Sequence, residues 1–410
     1  MVGEREIKLC SQQQCTGCMA CLQKCKHGAI IKRDVGGFFY PFIDEFLCKH
    51  CGQCMEACPI LNISTQKGIH LSNASKCFAV WNKDTSIRMQ SSSGGVFSVL
   101  ANKIIETNGV VFGAAWNSEM VLEHRGVSKK SDIDVLRRSK YVQSDPKNSF
   151  NEVQEHLKAG RPVLYCGTPC QIAGLTAFLG YKNYENLYKV DVLCQGVPSP
   201  WSLKKYLSEI EKSKGIKITS VNFRSKSRGW RCGLLLLLLE GEKNGKKIFI
   251  ERKTTNNEFY NSFIREYFLR ESCYHCQFKK HSNGYFSDIT IGDFWRIGDK
   301  IPFDAENIER GVSAVVVNTQ KGQNLLESCA DNIIIKVRTY DELATNGGIY
   351  DSHKPANNDA AYAYLKCHNW HETQKKFFPL SRKQKIRIWF YLMLGEKKVR
   401  IIRKLVKKVR

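Results

Sequence analysis

Eight of the eighteen cysteines in this chain fall in two runs, Cys15, Cys18, Cys21, Cys25 and Cys48, Cys51, Cys54, Cys58, with two, two and three residues between successive members. Three cysteines spaced two residues apart hold three irons of one cubane, and the fourth points away to a neighbouring cluster. The runs are offset by 33 residues at every cysteine, so they read as an internal duplication whose halves exchange their last ligands. Cys15, Cys18, Cys21 and Cys58 are assigned to one 4Fe-4S cluster, and Cys48, Cys51, Cys54 and Cys25 to the other. Structural zinc takes four ligands in paired Cys-x-x-Cys spacing and fits two crowded quartets less well. Pro59 follows Cys58, while Lys26 stands after Cys25; that change removes no ligand. The chemistry this spacing supports is the transfer of single electrons.

Four more cysteines stand where metal chemistry is possible. Cys273 and Cys276 form a Cys-x-x-Cys pair, Cys194 follows an apolar strand pattern, and Cys170 sits one residue after Pro169 at a predicted helix start. A helix N-terminus is expected to depress the thiol pKa of Cys170. Four cysteines suffice for one more metal centre, either zinc or a third cluster, and periodicity does not choose between them. Cys10, Cys77, Cys166, Cys232, Cys329 and Cys367 read as ordinary thiols. Arg224, Lys226 and Arg228 read as a solvated basic loop, with an anionic substrate as the sharper alternative.

Two strand-turn-helix units must position these groups. In one, Pro162–Tyr165 is a strand, Gly167-Thr168 a turn with Thr168 as cap, and Pro169 the first helical residue. In the other, Leu187–Leu193 is a strand closed by Cys194-Gln195-Gly196, with Ser199 and Pro200 opening the next helix. Upstream, Phe78–Trp81 and Gly109–Ala115 read as strands around a helix from Val96 to Glu106. The turn before that helix, Ser91 to Gly95, is either an ordinary cap or an anion cradle. Such units predict an α/β fold, α+β overall, in which a two-cluster ferredoxin-like module precedes a mixed, mostly parallel sheet with ligands at the carboxyl ends of its strands.

The chain has 410 residues, 42% of them hydrophobic, enough for ordinary cores. An acidic, polar N-terminus and the lack of an apolar run near 18 residues argue against a secretory signal or a membrane span. Many cysteines without secretion point to metal ligation in the cytoplasm. Of the net charge of +24, the stretch from Lys375 to Arg410 carries 14 Lys or Arg against Glu396 alone. Val399, Ile402, Leu405, Val406 and Val409 recur there at helical spacing, the pattern of a basic amphipathic helix. It suits an anionic membrane surface, helped by Trp389, Phe390 and Tyr391, or equally a solvated or partner-docking helix. Nucleic acid is not expected, because no recognition motif accompanies the charge.

Beyond the ferredoxin module the chain resembles the beta-subunit family of deazaflavin-dependent hydrogenases and dehydrogenases, which in turn resembles plant hydroxymethyl-chlorophyll reductase. The motifs that carry the resemblance are Ser93-Gly94-Gly95, Lys140-Tyr141-Val142-Gln143-Ser144, Gly167-Thr168-Pro169-Cys170-Gln171, Asp191 to Ser199, Cys273-Tyr274-His275-Cys276 and Asp288 to Trp295. The resemblance implies FAD bound by Ser93, Gly94, Gly95, Lys140, Tyr141, Gln143, Ser144, Thr168 and Pro169. It also implies a third 4Fe-4S cluster on Cys170, Cys194, Cys273 and Cys276. Lys140, to neutralise anionic charge, and Asp293, to anchor a hydroxyl or shuttle a proton, are the catalytic candidates, against readings as a surface lysine and a turn aspartate. Gln195 replaces the histidine of many bacterial relatives, which argues against a proton donor there.

The implied organisation is a two-cluster ferredoxin domain at 1–70, a flavin-binding region at 71–158, a C-terminal α/β region at 159–355 and a basic tail at 356–410. The implied function is an iron-sulfur flavoprotein oxidoreductase that takes electrons from a soluble carrier or redox partner protein and reduces a small molecule. Relatives of this fused type are associated with surface-polysaccharide pathways, and the fused module and tail argue against deazaflavin as the substrate. The alternative is a non-catalytic electron-transfer subunit or adaptor of a larger redox complex.

Overall fold

The computed structural model describes residues 6–65, 76–227, 229–230, 236–253, 256–279, 284–343, 351–390 and 393–394. Gly68, the expected end of the first module, Arg228, Cys232, Tyr391 and the helical pattern from Val399 onward lie outside the described residues. In the first module the 33-residue repeat is visible in the backbone. Gly17 and Met19 have φ values of 69° and 55°, and the residues 33 positions on, His50 and Gly52, have 49° and 77°. Each pair leads into a short helix, Ala20–Lys24 or Gln53–Glu56. Left-handed residues between the cysteines curl the chain into a concave loop of the kind that binds anionic groups.

The module also contains a hairpin that the cysteine spacing does not announce. Strands β1 (Ile30–Val35) and β2 (Phe38–Ile43) pair antiparallel across Gly36-Gly37, whose φ values of 62° and 79° suit a two-residue turn. Phe38 and Tyr40 cover Cys15, and Ile30 packs with Cys21 and Cys54. The hairpin tip is tied to the rest of the chain, since the hydroxyls of Ser199 and Tyr362 donate to the carbonyls of Gly37 at 2.9 Å and Gly36 at 2.7 Å.

The remaining strands are β3 (Lys76–Asn82), β4 (Val110–Trp116), β5 (Leu122–Val127), β6 (Val163–Gly167), β7 (Leu187–Val192), β8 (Lys217–Asn222), β9 (Leu236–Lys243), β10 (Lys246–Lys253), β11 (Ile289–Asp293), β12 (Ser313–Val317) and β13 (Ile333–Arg338). Eight of them form one mixed sheet in the order β13-β3-β12-β11-β7-β6-β4-β5. Its middle, β4, β6, β7 and β11, is parallel, as the strand-turn-helix units require, and both flanks are antiparallel. Strands β8, β9 and β10 make a separate antiparallel meander.

One sheet runs across the division expected at 158/159. Residues Cys77 to Asn82 of β3 are all buried, so the strand needs a partner on each edge, and it finds them in β12 and β13 of the later region. Helix Val96–Glu106 and helix Gln320–Glu327 cover one face of the sheet, while helices Ser149–Lys158 and Pro169–Phe178 cover the other. That second core also contains Cys18, Ala20 and Ala57, so the ferredoxin module is packed into the apolar interior of the sheet domain. No helix among the described residues is long and apolar enough to cross a membrane.

Candidate functional site

The cysteines gather into three groups. Cys15, Cys18, Cys21 and Cys58 line one small void of about 20 Å³. Cys54 lies within electrostatic reach of Cys25 and Cys48, and Cys51 is exposed at the surface. Cys170 lies within reach of Cys194, Cys273 and Cys276. Cys10, read as an ordinary thiol, packs beside Cys15 and lines the edge of the first void with Cys15 and Cys58. The sequence signal was its place five residues before Cys15, outside the repeat.

The third group forms at the carboxyl ends of the parallel strands. Pro169 takes the first helical position, and the Gln171 side chain accepts from the Thr168 N–H at 3.0 Å, so this helix begins firmly one residue before Cys170. The expected depression of the Cys170 pKa is reversed. Burial outweighs the helix N-terminus and the 3.2 Å contact with the Thr168 hydroxyl, and pushes the thiol well above its ordinary value. Burial likewise raises Cys194 to about 12 and Cys273 to about 11. Four partly buried cysteines gathered at one place fit a bound cationic centre, which supplies positive charge to the sulfurs.

A cavity of about 510 Å³ opens beside this quartet, and all four of its cysteines lie in the cavity wall. Ser93, Gly95, Lys140, Tyr141, Gln143, Ser144, Thr168, Pro169 and Asp293 line it too. Gly94 stands behind the wall. A Cβ there would lie 2.3 Å from the Val80 carbonyl and 2.8 Å from the Ser313 nitrogen, so only glycine lets the loop meet β3 and β12. The loop is further fixed by the Ser313 hydroxyl, which accepts from the Gly94 N–H at 2.9 Å. Helix Val96–Glu106 begins at Gly95 without a side-chain cap, leaving its first N–H groups for a ligand.

Lys140 and Asp293 are both committed to protein partners. The Lys140 ammonium donates to the carbonyls of Leu136, Arg137 and Arg138 at 3.1, 2.8 and 3.2 Å, while burial pushes its pKa down to about 7. Asp293 accepts from Arg224 through both oxygens, at 2.6 and 3.3 Å, and from the Trp230 indole at 3.2 Å. The solvated-loop reading of Arg224 and Lys226 is corrected accordingly. Arg224 is buried over Trp295, 4.5 Å from its ring centroid, and Lys226 is buried among the carbonyls of Arg88, Ser93 and Arg310. Both cations hold the serine-glycine loop from behind; Arg224 also donates to the Ser92 carbonyl at 3.2 Å.

Three wall residues escaped the sequence reading. Arg137 and Arg138 flank the uncapped helix start; the signal was their position directly before Ser139-Lys140. His124 stacks on Tyr165 at 5.3 Å, bonds the Cys166 carbonyl through Nε2, and is held neutral by burial, with its pKa near 4. Its inward position on β5 becomes visible only once that strand is paired.

The ferredoxin module meets the third group directly. A Cβ on Gly174, one helical turn beyond Cys170, would lie 2.8 Å from Cys18 Cβ and 2.9 Å from its Sγ. Four residues of helix rise span only about 6 Å.

Residues 160–343 match the family model for the C-terminal part of the coenzyme F420 hydrogenase/dehydrogenase beta chain, and residues 14–61 match the 4Fe-4S dicluster domain. A chain of the F420-reducing [NiFe] hydrogenase complex from Methanosarcina barkeri is similar in structure over 74% of this chain and 95% of its own, at 15% identity and a TM-score of 0.45. No curated protein matches the chain. The chain is an iron-sulfur redox protein in which a segment matching the 4Fe-4S dicluster domain, residues 14–61, precedes one matching the C-terminal model of the coenzyme F420 hydrogenase/dehydrogenase beta subunit, residues 160–343.

Proposed function

We propose that this chain is an iron-sulfur flavoprotein oxidoreductase. Electrons from a reduced soluble carrier enter the dicluster, pass to a third cluster on Cys170, Cys194, Cys273 and Cys276, and reach FAD in the cavity, where a small molecule is reduced. The observation that carries the reading is contiguity: Cys18 touches the helix that bears Cys170, and Cys170 lines the cavity. Electron entry is supported by the exposed Cys51 and by Phe46, 98% exposed, near Cys48.

FAD, when bound, takes electrons singly and returns them as a hydride. The chain's own contribution is to bind and orient. The helix start at Gly95, with Arg137 and Arg138 beside it, suits a pyrophosphate. Tyr141, stacked at 4.7 Å on Phe263 and held by Arg224 at 3.1 Å, offers a rigid aromatic wall. The cavity falls in the size range of cofactor sites. Lys140 acts here by shaping the 136–140 turn, and Asp293 by orienting Arg224.

Anaerobic purification followed by iron, sulfide, zinc and flavin quantitation tests this reading. About twelve irons and one FAD per chain support it. About eight irons without flavin favour the adaptor, and eight irons with one zinc make the third centre structural.

The basic tail supports a site at an anionic membrane face, where surface polysaccharides are assembled. Ile386, Trp389, Phe390 and Met393 are 56, 55, 43 and 64% exposed and fall at helical spacing on one stripe, beside Arg382, Lys383, Lys385 and Arg387. In flotation with anionic vesicles the full chain is expected to rise with the lipid and a chain ending at Leu380 to stay behind. Equal behaviour of the two removes the membrane from the reading.

A further inference from the structure

Arg270 is fully buried, yet its guanidinium meets no carboxylate among the described residues. Its neighbour Glu271 turns outward to Lys354 at 3.0 Å. The guanidinium meets the first cysteine loop, its aromatic cover and Gln143 instead. Nε donates to the Cys15 carbonyl at 2.7 Å, and Nη1 donates to the Phe39 carbonyl at 3.1 Å and to Gln143 Oε1 at 2.9 Å. Nη2 points to Cys15 Sγ at 3.7 Å, and the guanidinium carbon sits 3.9 Å from the Tyr40 ring centroid. An arginine keeps its proton at any working pH, and burying its charge without a counter-ion costs several kcal/mol. With its other N–H groups on neutral acceptors, the guanidinium leaves Nη2 facing the sulfur side for an anion.

The loop itself is shaped for this side chain. A Cβ on Gly17 would lie 2.8 Å from Arg270 Nη1 and 2.4 Å from Gln143 Nε2, so glycine at this position lets the guanidinium reach the loop. The equivalent position of the second run carries His50, and there the charged neighbour of Cys48 is the carboxylate of Glu45, within 4.8 Å. The two halves of the duplication thus place opposite charges beside matching cysteines.

We propose that Arg270 is the counter-cation of the cluster on Cys15, Cys18, Cys21 and Cys58, and that it raises the reduction potential of that cluster alone. Reduction by one electron adds one negative charge to an already anionic cluster, and a fixed cation beside a ligand sulfur stabilises the reduced form more than the oxidised one. With both clusters bound, an electron passed between them would oxidise the second and reduce the first, with no proton transferred. Arg270 is a positioning residue that draws electrons to the side of the module facing Cys273, three residues along its own chain. The inference rests on the dicluster domain and not on the flavin or the third centre.

The test is an anaerobic redox titration of the full chain followed by electron paramagnetic resonance, with dithionite as reductant. In Arg270→Met one cluster signal is expected to move to lower potential while the others keep theirs. If that variant loses iron, Arg270→Lys, which keeps the charge but drops the contact to Cys15 Sγ, carries the test, with a smaller shift of the same signal expected. Unchanged potentials in an iron-replete variant, or an equal shift of every signal, overturn the proposal.

Discussion

Replacing Cys170 with alanine is expected to lower the iron content from about twelve to about eight atoms per chain and to cut carrier-dependent turnover by more than about 100-fold. The reason is positional. Cys170 is held by a helix whose start is fixed by Pro169 and by the Gln171 side chain, and whose next turn presses Gly174 against Cys18. Losing the ligand leaves three sulfurs, too few for a closed centre, while the dicluster, whose eight cysteines lie elsewhere, keeps its iron and its reduction by dithionite. Iron and sulfide assays together with stopped-flow reduction read both halves of this expectation. A Cys170→Ala chain with unchanged iron removes the third cluster from the proposed route. Cys273→Ala provides the same test from another element of the cavity wall.

The second large effect is expected at Asp293. Its carboxylate is 15% exposed and pairs through both oxygens with Arg224, which is 1% exposed. Asp293→Ala strands a buried guanidinium and leaves the Trp230 indole without its acceptor, an expected loss of about 3 to 5 kcal/mol in folding stability. Asp293→Asn keeps one acceptor and most of the shape, so a smaller loss is expected. Urea unfolding followed by the fluorescence of the Trp230–Trp295 stack, whose centroids lie 4.8 Å apart, measures both. An alanine variant as stable as the parent contradicts the ion-pair role. An asparagine variant that is stable and flavin-replete but inactive assigns Asp293 to proton transfer.

The sequence by itself determined the two cysteine runs and the parallel middle of the sheet, because each rests on local spacing. Cysteine intervals encode which irons one loop can reach, and a strand, a turn and a capped helix in succession force parallel neighbours. Helix Val96–Glu106 was legible to the residue, since a glycine start and an apolar period mark it. The tertiary structure decided what depends on distant partners. Strand β3 joins the sheet through segments more than 230 residues away, so no local pattern could place it. Arg224 and Lys226 look solvated in a basic stretch, and only the fold surrounds them with a carboxylate and with carbonyls. Cys170 looked acidic at a helix start until three other cysteines and the core closed over it. Charge and burial are properties of what surrounds a side chain, and for Arg270 the loop around Cys15 lies more than 200 residues earlier in the chain.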